Sequence, residues 1–295
     1  MSSTSESYLV GLIGEGVTPS LSPPLHEQEA DHLGLRYLYR PVDLSLMAAD
    51  RDLDPAVRLG ELLQRGRELG FNAFNITHPC KQMVMQFLDE VSNDARSLGA
   101  VNTVLIRDGR FIGHNTDYSG FASALAAGLP SAPLDRVVQL GVGGAGSAVA
   151  YALLKAGTAH LTLIDLDYAR ASERAAALAA LFPGRKVNAA DSTELAAVLA
   201  GADGLVHATP VGMHSHPGLP LDLDLVDPRQ WVADVVYRPL ETELVRGARA
   251  KGCAVLDGGY MAVGQAVDAF ELITGIRPDA DRMRAHFLDL IERGL

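Results

Sequence analysis

The sequence predicts an α/β fold in two domains, and three observations carry that reading. Apolar runs of strand length alternate with segments of helical spacing along nearly the whole chain. A glycine-rich loop, Gly141-Val-Gly143-Gly144-Ala145-Gly146, stands between one such strand and one such helix. Ahead of it, Leu129–Pro133 reads as an exposed connector, and the pattern changes after it.

The elements of the first part follow in order. Tyr8–Gly14 is a buried strand ending in a glycine turn. Ser22-Pro-Pro-Leu-His26 opens a helix to about Leu33, with Ser22 as N-cap and prolines in the first turn. Arg36–Val42 is a second strand, Val57–Leu69 a helix stopped by Gly70, and Phe71–Ile76 a third strand. Lys81–Leu88 is a helix after Pro79. Val101–Arg107 and Arg110–Gly113 form a hairpin turning at Asp108-Gly109.

Beyond the connector, Arg136–Leu140 is a strand, the glycine loop follows, and Ser147–Lys155 is a helix. The strand His160–Ile164 ends at Asp165, and the alanine-rich helix Ala171–Leu181 comes next. Further strands are Lys186–Ala190, Gly204–Ala208, Trp231–Val236 and Cys253–Leu256, with helices at Leu195–Leu199 and Glu243–Ala250 between them. Gly264–Thr274 and Arg282–Leu290 are closing helices. The expected domains are 1–120, completed by helices in 262–295, and a Rossmann-type domain over 121–261, with a deep cleft between them as the expected site.

Bulk properties remove several classes of function. A net charge of −11 and a pI of about 5.2 make a poor electrostatic partner for nucleic acid or an anionic membrane. No apolar run is long enough to span a bilayer. Met1–Ser7 is polar, expected to fray, and lacks the features of a signal peptide. Cys80 and Cys253 read as two reduced thiols, consistent with a cytoplasmic protein. No cysteine/histidine spacing suggests zinc, and His214 with His216 lacks a third ligand nearby in sequence, so no metal is expected.

Three polar clusters end strand-like runs: Asn75-Ile-Thr77-His-Pro-Cys-Lys81, Gly99-Ala-Val-Asn102-Thr103 and Asn115-Thr-Asp117. They offer an ammonium, a carboxylate, amides and hydroxyls, a set suited to a small polyhydroxylated ligand. Lys81 and Asp117 are the candidates for moving a proton, although each alone can also be a surface charge. His26, His78 and His114 are read as structural. In the glycine loop, Gly141 permits the turn, Gly143 admits a pyrophosphate, and Gly146 allows close helix–strand packing. The helix N-terminus supplies N–H groups for the phosphates. Asp165 can accept hydrogen bonds from the adenosine ribose and repel a 2′-phosphate. Leu166 and Asp167 supply no cation and Arg170 lies further into the helix, so NAD is favoured over NADP. Asp165 can equally cap that helix.

Across nearly the whole length, from Gly11 to about Leu290, the chain resembles the shikimate dehydrogenase family. The three clusters match its signatures, and Ser20-Leu-Ser22 matches its N-terminal serine pair. The resemblance implies that Ser20, Ser22 and Tyr237 hold a substrate carboxylate and that Thr77, Asn102 and Gln265 bind ring hydroxyls. It implies Lys81 and Asp117 as the catalytic pair at the C3 hydroxyl. Gly141, Gly143, Gly144, Ala145, Gly146, Asp165 and Arg170 fall to the cofactor, and Thr209, Met213, Val235 and Gly258 to its nicotinamide side.

Two positions set this chain apart within the family. NADP-dependent members carry Asn-Arg-Thr where this chain has Asp165-Leu-Asp167, which brings it nearer the NAD-dependent quinate/shikimate branch. Quinate-active members often replace the second serine, whereas Ser22 is kept, which favours shikimate. The rivals are an NADP-dependent biosynthetic enzyme, an aminoshikimate-type enzyme, and a non-catalytic metabolite-binding protein of the same fold. The expected partner is the small-molecule substrate, shikimate or quinate, and the expected state is a monomer or homodimer.

Overall fold

The computed structural model describes residues 7–47 and 54–294, so of the polar start only Ser7 lies within the described residues. The chain divides into two compact units, Met1–Thr116 with Gln265–Leu295, and Asp117–Gly264. Both are α/β.

In the first unit the elements are β1 (Ser7–Gly14), α1 (Ser22–His32), β2 (Arg36–Asp43), α2 (Pro55–Glu68), β3 (Ala73–Ile76), α3 (Cys80–Met83), β4 (Glu90–Val91), α4 (Asn93–Leu98), β5 (Thr103–Arg107) and β6 (Arg110–His114). Helix α5 (Thr116–Gly128) begins at its boundary. The six strands form one sheet in the order β2-β1-β3-β5-β6-β4, with β1 parallel to β2 and β3 and with β5 antiparallel to both of its neighbours. Alternation along β1 explains its two cores. Val10 and Leu12 join a cluster with Tyr37, Tyr39, Phe270 and Ile273. Ile13 joins Leu59, Leu63, Phe74 and Ile76 in another.

The hairpin between β5 and β6 turns at Asp108 and Gly109, both with positive φ (50° and 75°), as a two-residue turn demands. Several predicted boundaries change. Ser22 is the first helical residue of α1 rather than its cap: Leu21 stands at the N-cap position without a side-chain bond, and Ser22 N–H donates to Ser20 Oγ at 3.2 Å. The helix expected over Lys81–Leu88 is only α3 followed by a 3-10 turn at Val84–Phe87. The chain must leave that helix early to lay β4 beside β6, where Asp89 N–H donates to Phe111 O at 2.9 Å. Helix α4 was not expected, although Ser92 caps it through Ala95 N–H and Gly99 ends it in the left-handed region.

The second unit holds β7 (Arg136–Leu140), α6 (Gly144–Ala156), β8 (His160–Ile164), α7 (Tyr168–Leu181), β9 (Lys186–Ala189), α8 (Leu195–Leu199), β10 (Gly204–His207), β11 (Trp231–Asp234), α9 (Glu243–Lys251) and β12 (Ala254–Leu256). Its sheet runs β12-β11-β10-β7-β8-β9, all parallel. This is the doubly wound order with a switch point between β7 and β10, where such sheets bind ligands beyond the strand ends. Helix α10 (Gly258–Thr274) returns the chain to the first unit, where α11 (Ala280–Glu292) packs against α1. Asp279 caps α11 through Arg282 N–H. Among the described residues no helix is long and apolar enough to cross a membrane.

Candidate active site and dinucleotide site

In the first unit, strand register brings residues of the three polar clusters to one end of the sheet. Asn75 pairs with Thr103, and Thr103 with His114. One step further, Ile76 N–H donates to Asn102 O (2.7 Å) and Asn102 N–H to His114 O (3.0 Å). Thr77, Asn102 and Asn115 therefore lie at neighbouring strand ends. Thr77 N–H donates to Ile13 O at 2.9 Å, which ties the same edge to β1. Lys81, half-buried in α3, is held from below by Val101 N–H donating to its carbonyl at 2.9 Å.

Buried polar side chains fix this edge. Tyr39 OH donates to Asn75 Oδ1 (2.6 Å), and Asn75 Nδ2 donates to Thr103 Oγ1 (3.0 Å). Asn102 Oδ1 accepts Thr116 N–H (2.7 Å) while its Nδ2 donates to Thr116 Oγ1 (2.9 Å). Asn102 thus anchors the start of α5, in whose first turn the buried Asp117 stands. Asn115 Nδ2 donates to Ala100 O at 3.0 Å. The loop carrying Ser20 and Ser22 is held by Asp43, which accepts from Gly16 N (3.0 Å) and from Thr18 N (3.1 Å) and Oγ1 (2.9 Å). Hydrogen bonds from Ser45 and Thr18 keep the Asp43 carboxyl well below the usual carboxylate range. Gln265 opens the returning segment within α10, and Tyr237, partly exposed, follows β11 in the second unit.

Of the histidines near the clusters, His26 is buried, His114 partly buried and His78 exposed. Burial pushes His26 down to about 3, and its Nδ1 lies 3.1 Å from Tyr37 OH. Burial also lowers His114. The Cys80 thiol is pushed up to about 11 by burial, with Glu15 adding to it, which keeps it un-ionised near neutrality.

In the second unit the glycine loop has the geometry a dinucleotide needs. Gly141 has φ 91°, and a Cβ on Gly146 would fall 2.3 Å from Gly141 O, so both must be glycine. At Gly143 and Gly144 a Cβ would meet nothing within 4 Å, which leaves the approach open. Gly143 offers no side-chain cap to α6, whose first turn carries no acidic residue, so N–H groups and positive dipole remain for an anion. Gln139, missed in the sequence, clamps the loop: its Nε2 donates to Gly141 O (2.8 Å) and Gly146 O (2.7 Å). An amide in the otherwise apolar run Val137-Val-Gln-Leu140 was the available signal.

Asp165 corrects two expectations. It does not cap α7, a role taken by Asp167 through Arg170 N–H. Instead it accepts Val142 N–H from the glycine loop at 2.9 Å. Arg170, although further into the helix, reaches back so that its guanidinium lies 2.5 Å from Asp165 Oδ1. A cation therefore does stand at this strand end. Burial pushes the Asp165 carboxyl up, but hydrogen bonds from Arg170, Val142 and Asp167 outweigh it, and the net shift is downward. The open loop, uncapped helix and ionised carboxylate fit a dinucleotide.

The residues expected beside the nicotinamide lie beyond neighbouring strands β10, β11 and β12. Val235 N–H donates to His207 O at 3.0 Å, and a Cβ on Gly258 would fall 2.3 Å from Val236 O. The Thr209 methyl packs toward Gly141. Met213 sits in an exposed turn closed by Gly212 N–H to His216 O at 2.7 Å.

Comparison with known proteins gives a consistent picture. Residues 12–104 match the family model described as the shikimate dehydrogenase substrate binding domain, and residues 260–286 match the shikimate 5'-dehydrogenase C-terminal domain. The chain is 65% identical over 291 residues to shikimate dehydrogenase (NADP(+)) of Arthrobacter sp. (strain FB24), covering 99% of this chain and 98% of that protein. It is 50% identical over 287 residues to quinate/shikimate dehydrogenase (NAD(+)) of Corynebacterium efficiens, covering 97% and 99%. Among solved structures, quinate dehydrogenase from Corynebacterium glutamicum in complex with NAD superposes with a TM-score of 0.90 at 49% identity, covering 96% of this chain and 99% of that one.

Proposed function

The chain belongs to the shikimate dehydrogenase family of NAD(P)-dependent oxidoreductases, and we propose that it reversibly oxidises the C3 hydroxyl of shikimate to the ketone with NAD as preferred cofactor. The observation that carries the reading is the shared strand end of Thr77, Asn102 and Asn115. Lys81 stands four residues beyond Thr77, and Asp117 two beyond Asn115. When bound, the dinucleotide supplies the hydride acceptor in oxidation and the donor in reduction. Ser20, Ser22 and Tyr237 hold the substrate carboxylate, and Thr77, Asn102 and Gln265 take the ring hydroxyls. Lys81 Nζ receives the proton that leaves the C3 oxygen during oxidation and returns it during reduction. Asp117 holds the same hydroxyl and orients it. Such positioned proton transfer contributes about 10²–10⁴-fold.

NAD is favoured because the ionised Asp165 carboxylate accepts ribose hydroxyls and opposes a 2′-phosphate. A second reading, NADP as cofactor, is favoured by Arg170, whose half-exposed guanidinium can leave Asp165 for a phosphate. The 65% identical relative bears an NADP(+) name. The deciding experiment is kcat/KM for shikimate, quinate and aminoshikimate against NAD and NADP. The proposal expects shikimate with NAD to lead; a clear lead for NADP would transfer the adenosine end to Arg170.

A further inference from the structure

We propose that His207, braced by Asp234, is a positioning residue that sets the dinucleotide site through Thr209. This rests on the reading above, in which Thr209 belongs to the nicotinamide side. His207 ends β10, Asp234 ends the neighbouring β11, and both side chains are wholly buried. His207 Nδ1 lies 2.9 Å from Asp234 Oδ1, and its Nε2 lies 2.5 Å from Thr209 Oγ1.

The donor count around Asp234 fixes how this chain is wired. Asp234 Oδ1 also accepts Val236 N–H at 3.0 Å, and Oδ2 accepts the Thr242 hydroxyl at 2.7 Å. Thr242 Oγ1 in turn accepts Val245 N–H at 3.1 Å as the cap of α9, so its hydrogen is committed to the carboxylate. A carboxylate only accepts, so Nδ1 carries the hydrogen it shares with Oδ1. Nε2 and Thr209 Oγ1 share one hydrogen across their 2.5 Å contact, which directs the Thr209 hydroxyl at the imidazole. Thr209 Oγ1 then accepts Val211 N–H at 3.3 Å. With its hydroxyl directed to His207, the Thr209 methyl is left facing Gly141, where a Cβ on that glycine would fall 2.8 Å from Thr209 Cγ2. One rotamer of Thr209 is thereby set from behind by a histidine that solvent does not reach. The same rotamer shapes the wall beside the glycine loop.

The test uses the full chain, NADH titration followed by nicotinamide fluorescence, and thermal melting. His207→Asn keeps an amide toward Asp234 but cannot reach Thr209. Thr209→Val keeps the shape and removes the hydroxyl. His207→Gln restores a hydrogen-bonding group near the Nε2 position. Each of the first two is expected to weaken NADH binding about fivefold, the worth of one hydrogen bond, and their combination also about fivefold because they break the same link. His207→Gln is expected to recover part of the loss. Lower melting temperatures with unchanged NADH affinity would make His207 merely structural and overturn the proposal, as would effects that multiply to about twenty-five-fold. If His207→Asn fails to fold, Thr209→Val alone decides, an unchanged affinity overturning the proposal. A wild-type chain that binds neither NADH nor NADPH would instead overturn the functional reading on which the proposal rests.

Discussion

Acid should destabilise the first unit through His26 before its carboxylates begin to protonate. His26 is buried against Tyr37, Tyr39 and Phe270, with ring centroids 5.1–5.9 Å away. Burial pushes it from its ordinary value of 6.5 down to about 3, so the folded chain refuses a proton that the unfolded chain accepts. Its contribution is therefore complete above pH 6.5 and is lost progressively as pH falls from there toward about 3. The full gap corresponds to at most about 5 kcal/mol, and the part between pH 6.5 and 5 to about 2 kcal/mol. The assay is urea unfolding followed by circular dichroism at pH 7.5 and 5.0, for wild type and His26→Asn. The asparagine keeps a hydrogen-bonding group near Nδ1 but does not titrate, so the stability lost between the two pH values should shrink by about 2 kcal/mol. Other groups, His114 included, act alike in both proteins and cancel. An equal loss in both would refute the assignment of this acid sensitivity to His26.

Other consequences follow from single contacts. Gln139→Leu conserves bulk but releases the carbonyls of Gly141 and Gly146, and NADH affinity should fall about tenfold; an unchanged dissociation constant would show that the loop holds itself. Glu29 is buried on α1 and accepts Arg282 Nε (2.8 Å), Arg282 Nη2 (2.6 Å) and Asp279 N–H (2.9 Å) at the start of α11. Glu29→Ala should lower Tm by roughly 3–6 °C, read by calorimetry, without altering cofactor affinity.

Much of this architecture was legible in the chain because period and punctuation agreed. The strands Arg136–Leu140 and His160–Ile164 stand where the apolar runs predicted, and the glycine loop between strand and helix carried its own context. The misses have local causes. The two-residue strand β4 depends on pairing with β6, which no local pattern announces. The short length of α3 is set by the route to that pairing. Ser22 lost its capping role because α1 begins one residue earlier than expected, with Leu21 at the N-cap position and Ser22 inside the helix. At the cofactor end, sequence distance misled: Arg170 is five residues from Asp165 yet reaches it, because it stands in the first turn of α7 and its long side chain folds back over the end of β8. Gln139 and His207 were passed over because each stands alone in an apolar strand, and their significance lies in partners remote in sequence or across a turn.

Lys81 is proposed to carry the proton of the reacting hydroxyl. The most direct test is Lys81→Ala, with turnover measured by NADH formation and shikimate affinity measured by calorimetry on the same preparation. The expected result is a kcat lowered by at least about 100-fold while shikimate affinity stays within a few-fold of wild type. A variant that turns over at the wild-type rate would contradict it.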